Sequence, residues 1–433
     1  FSKVLMGVYD VQTTYLNVLG IYTNTTQVDA YRGAGRPEAI YLLERMMDRA
    51  ARELKIDPLE LRRINFIKKD NFPYRSSTGE TIDVGDFDRV LSAAEISADI
   101  AGFERRKKES EAKGMLRGLG LCYYIESILG DPSEEAKVVF EEGLDVKIFV
   151  GTQSNGQGHE TVFAQFLSDQ IGIPIEKITV VQGDTDLIPN GGGTGGSRSV
   201  TVQNNATLAT VEKVIQSFSQ YLSEKLEVSL ENIEFDDISF RINGSNYSPN
   251  VLEVAKMAFD DHRFDLLTHS AKATLDARSF PNGAHFAEVE VDPETGFVQV
   301  VRYSVVDDFG NLINPMLAQG QVHGGVAQGI GQALYEHVVF DQEGQLLTAT
   351  FMDYGMPRAQ DLPYYKFETE CVPSTANIMG MKGCGEAGTV GALAAVANAV
   401  QDALWDIGIQ QVDMPFTSEK IWSMINLGNL AAE

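Results

Sequence analysis

The sequence predicts a mixed α and β fold, either α+β or mixed α/β, and three observations lead to this prediction. An amphipathic pattern with apolar residues at helical spacing begins at Arg36. Segments that alternate apolar and polar residues, as strands do, are interleaved with later helical patterns. The chain has 433 residues, 43% of them hydrophobic, which is enough for two or three domains with full cores.

Two helices are predicted early in the chain. The first begins at Arg36, with Pro37 in its first turn, where a missing N–H is tolerated. Asp57 and Pro58 have the residue types of an N-cap and a first helical position, which predicts that a second helix starts there. The apolar face of the first helix consists of Ile40, Leu43, Met46, Met47, Ala50 and Leu54.

A run of charged residues at 104–113 (ERRKKESEAK) is the best candidate for a domain boundary. Its interleaved acidic and basic side chains indicate a solvated linker or an exposed helix rather than a basic binding patch. The sequence therefore predicts one unit over residues 1–113 and a second over residues 114–433.

The second unit is predicted to alternate strands and helices. Strands are expected at 144–151 and 177–182, each followed by a glycine-rich loop and a helix. The turn DPETG separates alternating segments at 285–291 and 297–306, which indicates a hairpin. Residues 389–404 are almost wholly apolar and predict a buried helix.

Composition disfavours several classes of function. The 61 acidic and 35 basic side chains give a net charge of −26, which repels phosphate backbones and anionic lipids, so neither nucleic acid nor a membrane surface is expected as a partner. No apolar run approaches the ~18–20 residues of a membrane span, and no signal peptide pattern opens the chain. The 3 cysteines can form neither a disulfide framework nor a four-thiolate iron–sulfur site, which favours a cytoplasmic location.

Three glycine-rich loops each precede a predicted helix. A helix start offers unpaired N–H groups and a partial positive charge, and glycine lets a ligand approach the backbone closely. Three such loops predict a large polar or anionic ligand, such as a nucleotide or a phosphorylated cofactor. They lack the Lys-Ser/Thr pair of a P-loop and the acidic ribose ligand of a dinucleotide fold, which disfavours kinases, GTPases and nicotinamide dehydrogenases. The loops are TQSNGQGHE (152–160), GGGTGGSRS (191–199) and KGCGEAG (382–388).

Glu386 in the third loop is the candidate general base. Glycines on both sides leave it little cover beside an apolar helix, where desolvation is expected to raise its pKa towards the range of a base. The alternative is that Glu386 only complements the helix dipole, a contribution of about 0.3–1 kcal/mol when exposed. The 6 histidines show no ligand spacing, so no metal bound directly by side chains is expected.

Four motifs together resemble the large, molybdenum-binding subunit of the xanthine oxidase family, the molybdenum hydroxylases. The first of them is most similar to form II aerobic carbon monoxide dehydrogenase large subunits. The resemblance implies the C-terminal part of the molybdopterin-binding domains of aldehyde oxidase and xanthine dehydrogenase type. Residues 1–113 would then be the end of the first cofactor-binding domain plus a linker, and residues 114–433 the second domain. The motifs are AYRGAGRPEA (30–39), GTQSNGQGHET (151–161), PNGGGTGGSRS (189–199) and KGCGEAG (382–388).

The resemblance implies a molybdopterin dinucleotide, in its cytosine form, with molybdenum held through the pterin. Glu386 matches the catalytic base of the family. The residues expected near molybdenum and substrate are Arg32, Gly33, Ala34, Tyr123 and Tyr124, although core positions on a strand are an equal alternative for the two tyrosines. The expected cofactor contacts are Gly156, Gln157, Gly158, His159, Gly195, Gly196, Ser197, Arg198, Ser199, Lys382, Gly383, Cys384 and Gly385.

The implied reaction is hydroxylation of an aldehyde or N-heteroaromatic carbon, with water as the oxygen source. Electrons are expected to leave for a 2Fe–2S subunit and an FAD subunit, because 3 cysteines and no flavin fold leave no place for either group on this chain. The upstream glycine-phenylalanine-glycine molybdenum loop of the family is missing. A further chain that supplies the N-terminal half of the large subunit is therefore expected, unless the sequence is a piece of a longer polypeptide.

Two departures from the family pattern bear on the substrate. Form I carbon monoxide dehydrogenases carry a copper-binding cysteine at the position of Gly33, so carbon monoxide oxidation is disfavoured. Ala34 stands where purine-hydroxylating relatives place a stacking phenylalanine, and the lost aromatic contact, about 0.5–1.5 kcal/mol, argues against xanthine. A form II carbon monoxide dehydrogenase large subunit and a non-catalytic fragment that binds cofactor or partners are the alternatives.

Overall fold

Two four-stranded sheets covered by helices form the body of the computed structural model, which describes residues 1–426. The mixed α and β class that the sequence predicts is confirmed. The helices are α1 (Arg36–Leu54), α2 (Pro58–Asn65), α3 (Phe87–Ala98), α4 (Phe103–Glu111), α5 (His159–Ile171), α6 (Ser199–Leu226), α7 (Val251–Asp260), α8 (Pro315–Leu334), α9 (Ala387–Trp405) and α10 (Ser418–Asn426). The strands are β1 (Tyr74–Arg75), β2 (Thr81–Ile82), β3 (Leu116–Ile125), β4 (Ser133–Phe140), β5 (Val146–Val150), β6 (Ile178–Val181), β7 (Ile233–Phe235), β8 (Phe240–Ile242), β9 (Thr268–Thr274), β10 (Asn282–Val291), β11 (Val298–Asp308) and β12 (Tyr365–Thr369).

The first sheet has the strand order β12-β11-β10-β3. Strands β3, β10 and β11 pair antiparallel, and β12 joins the edge parallel to β11. Helix α9 packs on β3 and β10, and α8 packs on α9. Because α9 is buried along almost its whole length, its sequence is apolar all round, as the composition of residues 389–404 predicts.

The close contact between β3 and α9 positions the start of α9. A Cβ on Gly120 would lie 2.0 Å from the carbonyl oxygen of Ala395, so only glycine permits this approach. Gly118, two residues earlier on β3, contacts the helix one turn later. Strand and helix therefore run in opposite directions, and Glu126, just after β3, lies beside Glu386, just before α9.

The second sheet has the strand order β6-β5-β4-β9 and packs against α5, α6 and α7. Strands β5 and β6 are parallel, so their C-terminal ends share one edge of the sheet. The loop after β5 leads into α5, and the loop after β6 leads into α6. This parallel pair brings two of the three glycine-rich loops to the same edge.

Several local expectations are confirmed. Helix α1 begins at Arg36, and Asp57 caps α2 by accepting hydrogen bonds from the N–H groups of Leu59 and Glu60. The predicted hairpin is β10 and β11. None of the described helices is both long and apolar enough to cross a bilayer.

The charged run at 104–113 is a helix rather than a linker. It forms most of α4, and the Arg106 guanidinium lies 2.6 Å from both Glu288 and Asp99. Arg106 and Ser110 are buried, so the helix is docked on the sheet and is exposed only in part. The division at residues 113 and 114 stays a prediction, and residues 427–433 of the second unit lie outside the described residues.

Candidate functional site

A cavity of about 830 Å³ lies where the starts of five helices meet. The three glycine-rich loops open onto this one cavity, together with the segments before α1 and α8. Its lining comes from residues 30–34, 155–163, 194–200, 311–321 and 381–386.

The loops leave their backbone uncovered towards the cavity. A Cβ on Gly156 or Gly195 would meet no atom within 4 Å, so a ligand can approach the backbone there. The N-terminal turns of α5, α6, α8 and α9 supply free N–H groups and partial positive charge at the same place. This arrangement suits a bulky ligand with negative charge.

Glu386 lies where these segments meet and accepts three hydrogen bonds. Its Oε1 accepts from the N–H of Gly33 at 2.9 Å. Its Oε2 accepts from Nη2 of Arg36 at 2.6 Å and from Oγ of Ser197 at 2.8 Å. Glu386 makes no capping hydrogen bond to α9, so complementing the helix dipole does not account for its contacts.

The pKa of Glu386 lies below its usual value, contrary to expectation. Burial alone would raise the pKa of Glu386. The Arg36 guanidinium, the Gly33 N–H and the Ser197 hydroxyl together lower the pKa by more than burial raises it. The expected upward shift is therefore wrong. The sequence does not reveal these donors, because Arg36 lies 350 residues away along the chain.

Arg32 joins two of the segments that line the cavity. Its Nε donates to the carbonyl of Gly385 at 2.9 Å, and its Nη2 donates to the carbonyl of Gln321 at 2.8 Å. Next to it, Ala34 lines the cavity and has a left-handed backbone, with φ of 40°. Ser197 is left-handed too, with φ of 54°. Such strained non-glycine residues are concentrated at functional sites.

The remaining loop residues fall into two groups. Gly156, Gln157, His159, Gly195, Gly196, Ser199, Cys384 and Gly385 line the cavity. Gly158 and Gly383 serve close packing, because their Cβ atoms would lie 3.0 Å from Leu317 and 1.9 Å from the Ser197 carbonyl oxygen. Burial lowers the pKa of His159 and raises the pKa of Cys384 to about 12, so both are neutral at pH 7.

Two basic residues expected to contact the ligand are engaged elsewhere. The buried Arg198 pairs with Glu134 at 2.7 Å, donates to the carbonyls of Gly193, Asp131 and Ser133, and does not line the cavity. Lys382 lines the cavity, but its ammonium lies 2.5 Å from Asp308 in a fully buried pair. A buried charge needs such a partner. Arg198 and the ammonium of Lys382 therefore stabilise the loops from behind.

Tyr123 and Tyr124 lie in the core and not at the cavity, so their proposed role as a pocket wall is wrong. Tyr123 packs among Phe66 and Phe87, and its hydroxyl donates to Asn282. The hydroxyl of Tyr124 donates to Asp307 at 3.0 Å. Both faces of β3 are covered, which leaves neither side chain a route to the cavity.

The sequence analysis misses three features of the site, of which one carries a recognisable signal. Arg36 reads only as the first residue of a helix, and Glu126 follows an apolar strand with no signal of its own. The segment 311–321 could have been found, because Asn314 and Pro315 have the types of an N-cap and a first helical position. Asn314 does cap α8 by accepting from the N–H of Leu317 at 3.0 Å.

In residues 1–426 no group of three or more His, Cys, Asp or Glu could hold a metal ion.

Comparison with models of protein families shows which family the chain belongs to. A family model described as "Molybdopterin cofactor-binding domain" matches residues 93–363, and a second one with the same description matches residues 1–66. The chain belongs to this family. The cavity is lined by residues from both matched ranges, such as Arg32 from the first and Ser197 from the second, and by residues 381–386, which lie beyond both.

Relatives of known identity agree with this assignment. The carbon monoxide dehydrogenase large chain of Hydrogenophaga pseudoflava is 32% identical over 99% of this chain and 56% of its own length. The nicotine 6-hydroxylase large subunit of Paenarthrobacter nicotinovorans is 34% identical over 96% of this chain and 53% of its own length. The chain spans just over half the length of these relatives. They confirm the predicted membership of the xanthine oxidase family of molybdenum hydroxylases.

Solved structures share the fold. A Cu,Mo-CO dehydrogenase superposes with a TM-score of 0.91 at 30% identity, over 99% of this chain and 57% of that one. Quinoline 2-oxidoreductase from Pseudomonas putida 86 superposes with a TM-score of 0.91 at 31% identity, over 98% of this chain and 56% of that one.

Proposed function

We propose that the chain is the catalytic, molybdenum-cofactor-binding part of a hydroxylase large subunit, with Glu386 as the base. The observation that carries this proposal is the position of Glu386, at the point where all the loops of the molybdopterin-binding cavity meet. The proposed reaction is hydroxylation of an aldehyde or N-heteroaromatic carbon with water as the oxygen source.

The residues present fit a molybdopterin dinucleotide, and we propose the cytosine form. The open backbone of Gly156 and Gly195 and the N-terminal turns of α5, α6 and α9 would hold its pterin and phosphate groups. Bound there, the molybdenum centre supplies the oxygen transfer and takes up the electrons of the oxidation. Burial raises the pKa of the Cys384 thiol to about 12, so this side chain is a thiol and not a thiolate at neutral pH.

Glu386 takes up a proton in this proposal. Its low pKa keeps the carboxylate ionised near neutral pH, so it is ready to accept. Three donors from Gly33, Arg36 and Ser197 hold the carboxylate in one orientation. A weak base depends on such positioning, because its own proton affinity contributes little.

The surroundings of Gly33 support an organic substrate over carbon monoxide. With φ of 103°, a Cβ here would lie 2.4 Å from Cγ of Pro37, so the backbone has no room for the copper-binding cysteine of form I enzymes. The cavity has apolar walls, which include Phe163, Leu312 and Leu317. The names of two relatives refer to nicotine and quinoline, which are N-heteroaromatic. Two relatives named carbon monoxide dehydrogenase, at 32% and 30% identity, keep that activity as the second candidate.

We also propose partner subunits for this chain, from the names of its relatives. The relatives are named large chains, large subunits or molybdenum-binding subunits, which supports separate 2Fe–2S and FAD subunits for this chain. A chain or segment that supplies the N-terminal half of the large subunit is proposed too. The cytoplasmic location stays a prediction.

The test is the Glu386→Gln variant in the assembled enzyme, produced with its partner subunits. We expect turnover to fall ~100-fold or more, since the base is lost, while the ratio of molybdenum to protein stays at the wild-type level. Exposed Glu343 serves as the matched control, as Glu343→Gln. Substrates are aldehydes, N-heteroaromatics, purines and carbon monoxide with an artificial electron acceptor. Wild-type turnover in Glu386→Gln, or no molybdenum in the wild type, contradicts the proposal.

A further inference from the structure

A second glutamate, Glu126, is buried directly behind Glu386. Its side chain has no exposed surface, and its Oε1 lies 2.7 Å from Nη1 of Arg36. Neither carboxyl oxygen has a hydrogen bond of good geometry to the described residues. A buried polar group with so few partners is rare in a folded protein, and an explanation is needed.

Arg36 is shared between the two glutamates. Its Nη2 donates to Oε2 of Glu386 at 2.6 Å, while Nη1 faces Glu126 and donates to the carbonyl of Ser127. Its Nε donates to the carbonyl of Gly33 at 2.6 Å. The guanidinium is 2% exposed. One buried cation cannot compensate two buried carboxylates, so one of the two acids is expected to keep its proton.

The surroundings of the two acids shift their pKa values in opposite directions, as expected if one acid keeps its proton and the other is ionised. Burial raises the pKa of Glu126 to about 8, because Arg36 offsets only part of the cost and the neighbouring Glu386 carboxylate raises the pKa further. The donors around Glu386 keep its pKa below the usual value. Such opposed shifts in a neighbouring pair mark one acid as the proton carrier and the other as the anion.

We propose that Glu126 is a positioning residue that sets, through Arg36, how strongly Glu386 binds a proton. The proposal rests on the proposed role of Glu386 as the base. While Glu126 is neutral, the charge of Arg36 is directed to Glu386 and makes it a weak base. Once Glu126 ionises, Arg36 is shared between two anions and Glu386 becomes a stronger base.

The other groups around Glu126 stay neutral over the same pH range. They are the thiol of Cys384, the phenol of Tyr124 and the hydroxyl of Ser197. Burial raises the pKa of Cys384 to about 12 and that of Tyr124 well above its usual value. Beyond them lies the buried Asp307, which accepts from the Tyr124 hydroxyl at 3.0 Å and whose pKa burial also raises. The Glu126→Gln variant separates the titration of Glu126 from that of Asp307.

The first test compares the pH dependence of kcat in the assembled wild-type enzyme and its Glu126→Gln variant. We expect wild-type kcat to rise about threefold as the pH passes the pKa of Glu126, because a stronger base transfers a proton faster. Glutamine cannot ionise, so this rise is expected to be absent from Glu126→Gln. The same rise in the variant overturns the proposal.

The matched control is Glu44, another fully buried glutamate, whose Oε2 lies 2.9 Å from Arg62 outside the cavity. Glu44→Gln is expected to lose stability, since it leaves a buried guanidinium short of a partner. It is also expected to keep the wild-type rise in kcat. Loss of the rise in Glu44→Gln contradicts a specific role of Glu126.

A second readout does not depend on turnover. The pKa of Glu126 is raised from 4.5 to about 8 in the folded state, so the folded state holds this proton more tightly than the unfolded state. The stabilisation it gives is present below pH 4.5 and is lost as the pH rises through about 8. The Tm of the wild type should therefore fall relative to Glu126→Gln across this window.

The pH dependence of kcat and that of Tm together distinguish a failure of the Glu126 proposal from a failure of the proposed function. A Tm difference that does not change with pH overturns the protonated state of Glu126, whatever the enzyme catalyses. Wild-type activity in Glu386→Gln overturns the proposed function instead, and it leaves the pH dependence of Tm as expected. Both a lost kcat rise and a pH-dependent Tm difference support the positioning role.

Discussion

Glu386 is largely buried, yet its carboxylate keeps a low pKa because three donors replace the water that it has lost. Gly33 and Arg36 donate from the start of α1, and Ser197 donates from the loop before α6. A hydrogen bond to a charged group contributes about 1.5–3 kcal/mol, which is enough to outweigh the burial of one carboxylate. The ionisation of this residue is thus a property of the assembled cavity.

Replacing Ser197 by alanine should make Glu386 a stronger base. The Ser197 hydroxyl stabilises the anion from 2.8 Å, so its removal is expected to raise the pKa of Glu386. Since the ionised form is active, the acid limb of the pH profile of kcat/KM should move to higher pH. Ser168→Ala is the control, because its hydroxyl donates to the carbonyl of Ile173 just beyond the end of α5, and Ser168 does not line the cavity. An unmoved acid limb contradicts this account of the pKa.

The sequence selects the carboxylate that we propose as the base, but it does not show what surrounds that carboxylate. Glycine placement and a familiar motif are enough to select Glu386. The partners Arg36 and Glu126 are missed, because each reads as part of an ordinary helix or strand. For Arg198 the sequence predicts too much. A basic residue in a glycine-rich loop suggests contact with a ligand, and its actual partner, Glu134, cannot be recognised because it lies 64 residues away along the chain.

Glycines at helix contacts position the elements that form the cavity. A Cβ on Gly388 in α9 would lie 2.4 Å from the Val322 carbonyl oxygen of α8. A Cβ on Gly120 in β3 would lie 2.0 Å from the carbonyl oxygen of Ala395 in α9. Close packing on both sides thus holds the start of α9 in place. Any displacement of α9 moves Glu386 away from its donors.

The Gly120→Ala variant tests this packing. The added methyl group cannot fit without moving α9, so we expect a loss of about 1–3 kcal/mol in stability and a lower molybdenum content. Gly143→Ala is the control, because the nearest atom to a Cβ there is 3.9 Å away. Measurements are the Tm and the ratio of molybdenum to protein. Equal values in Gly120→Ala and Gly143→Ala contradict the proposed constraint.

Elements with strong local patterns are predictable, whereas their neighbours in space are not. The helix from Arg36 and the hairpin around DPETG follow from periodicity and turn residues. The segment 311–321 carries an N-cap signal, but nothing local shows that it lines the same cavity as the glycine-rich loops. That depends on how α8 packs against α9, which is a tertiary property.

The cavity that we propose as the molybdopterin site is a feature of the whole chain. Its lining spans residues 30–386, so no single matched domain contains it. Arg32 and Arg36 from the start of the chain bond to Gly385 and Glu386 near its end. Binding at such a site should stabilise the folded state as a unit, because a ligand that binds only the folded state shifts the folding equilibrium.

Loading with cofactor should therefore raise the Tm of the assembled enzyme. The comparison is between enzyme from a host that makes molybdopterin and enzyme from a host that cannot. At about 100-fold excess over Kd the expected gain is about 2.7 kcal/mol. A Gly195→Leu variant, whose side chain enters the open space at the loop, should lose this gain. Equal Tm values for the loaded and cofactor-free wild type contradict binding in this cavity.

The most direct test of the central claim is the position of molybdenum in the assembled enzyme, determined by anomalous diffraction at the molybdenum absorption edge. The account predicts one strong peak per chain inside the cavity, in contact range of the loops that carry Gly156, Ser197 and Glu386. A peak elsewhere on the chain, or a fully assembled enzyme without any peak, would contradict it.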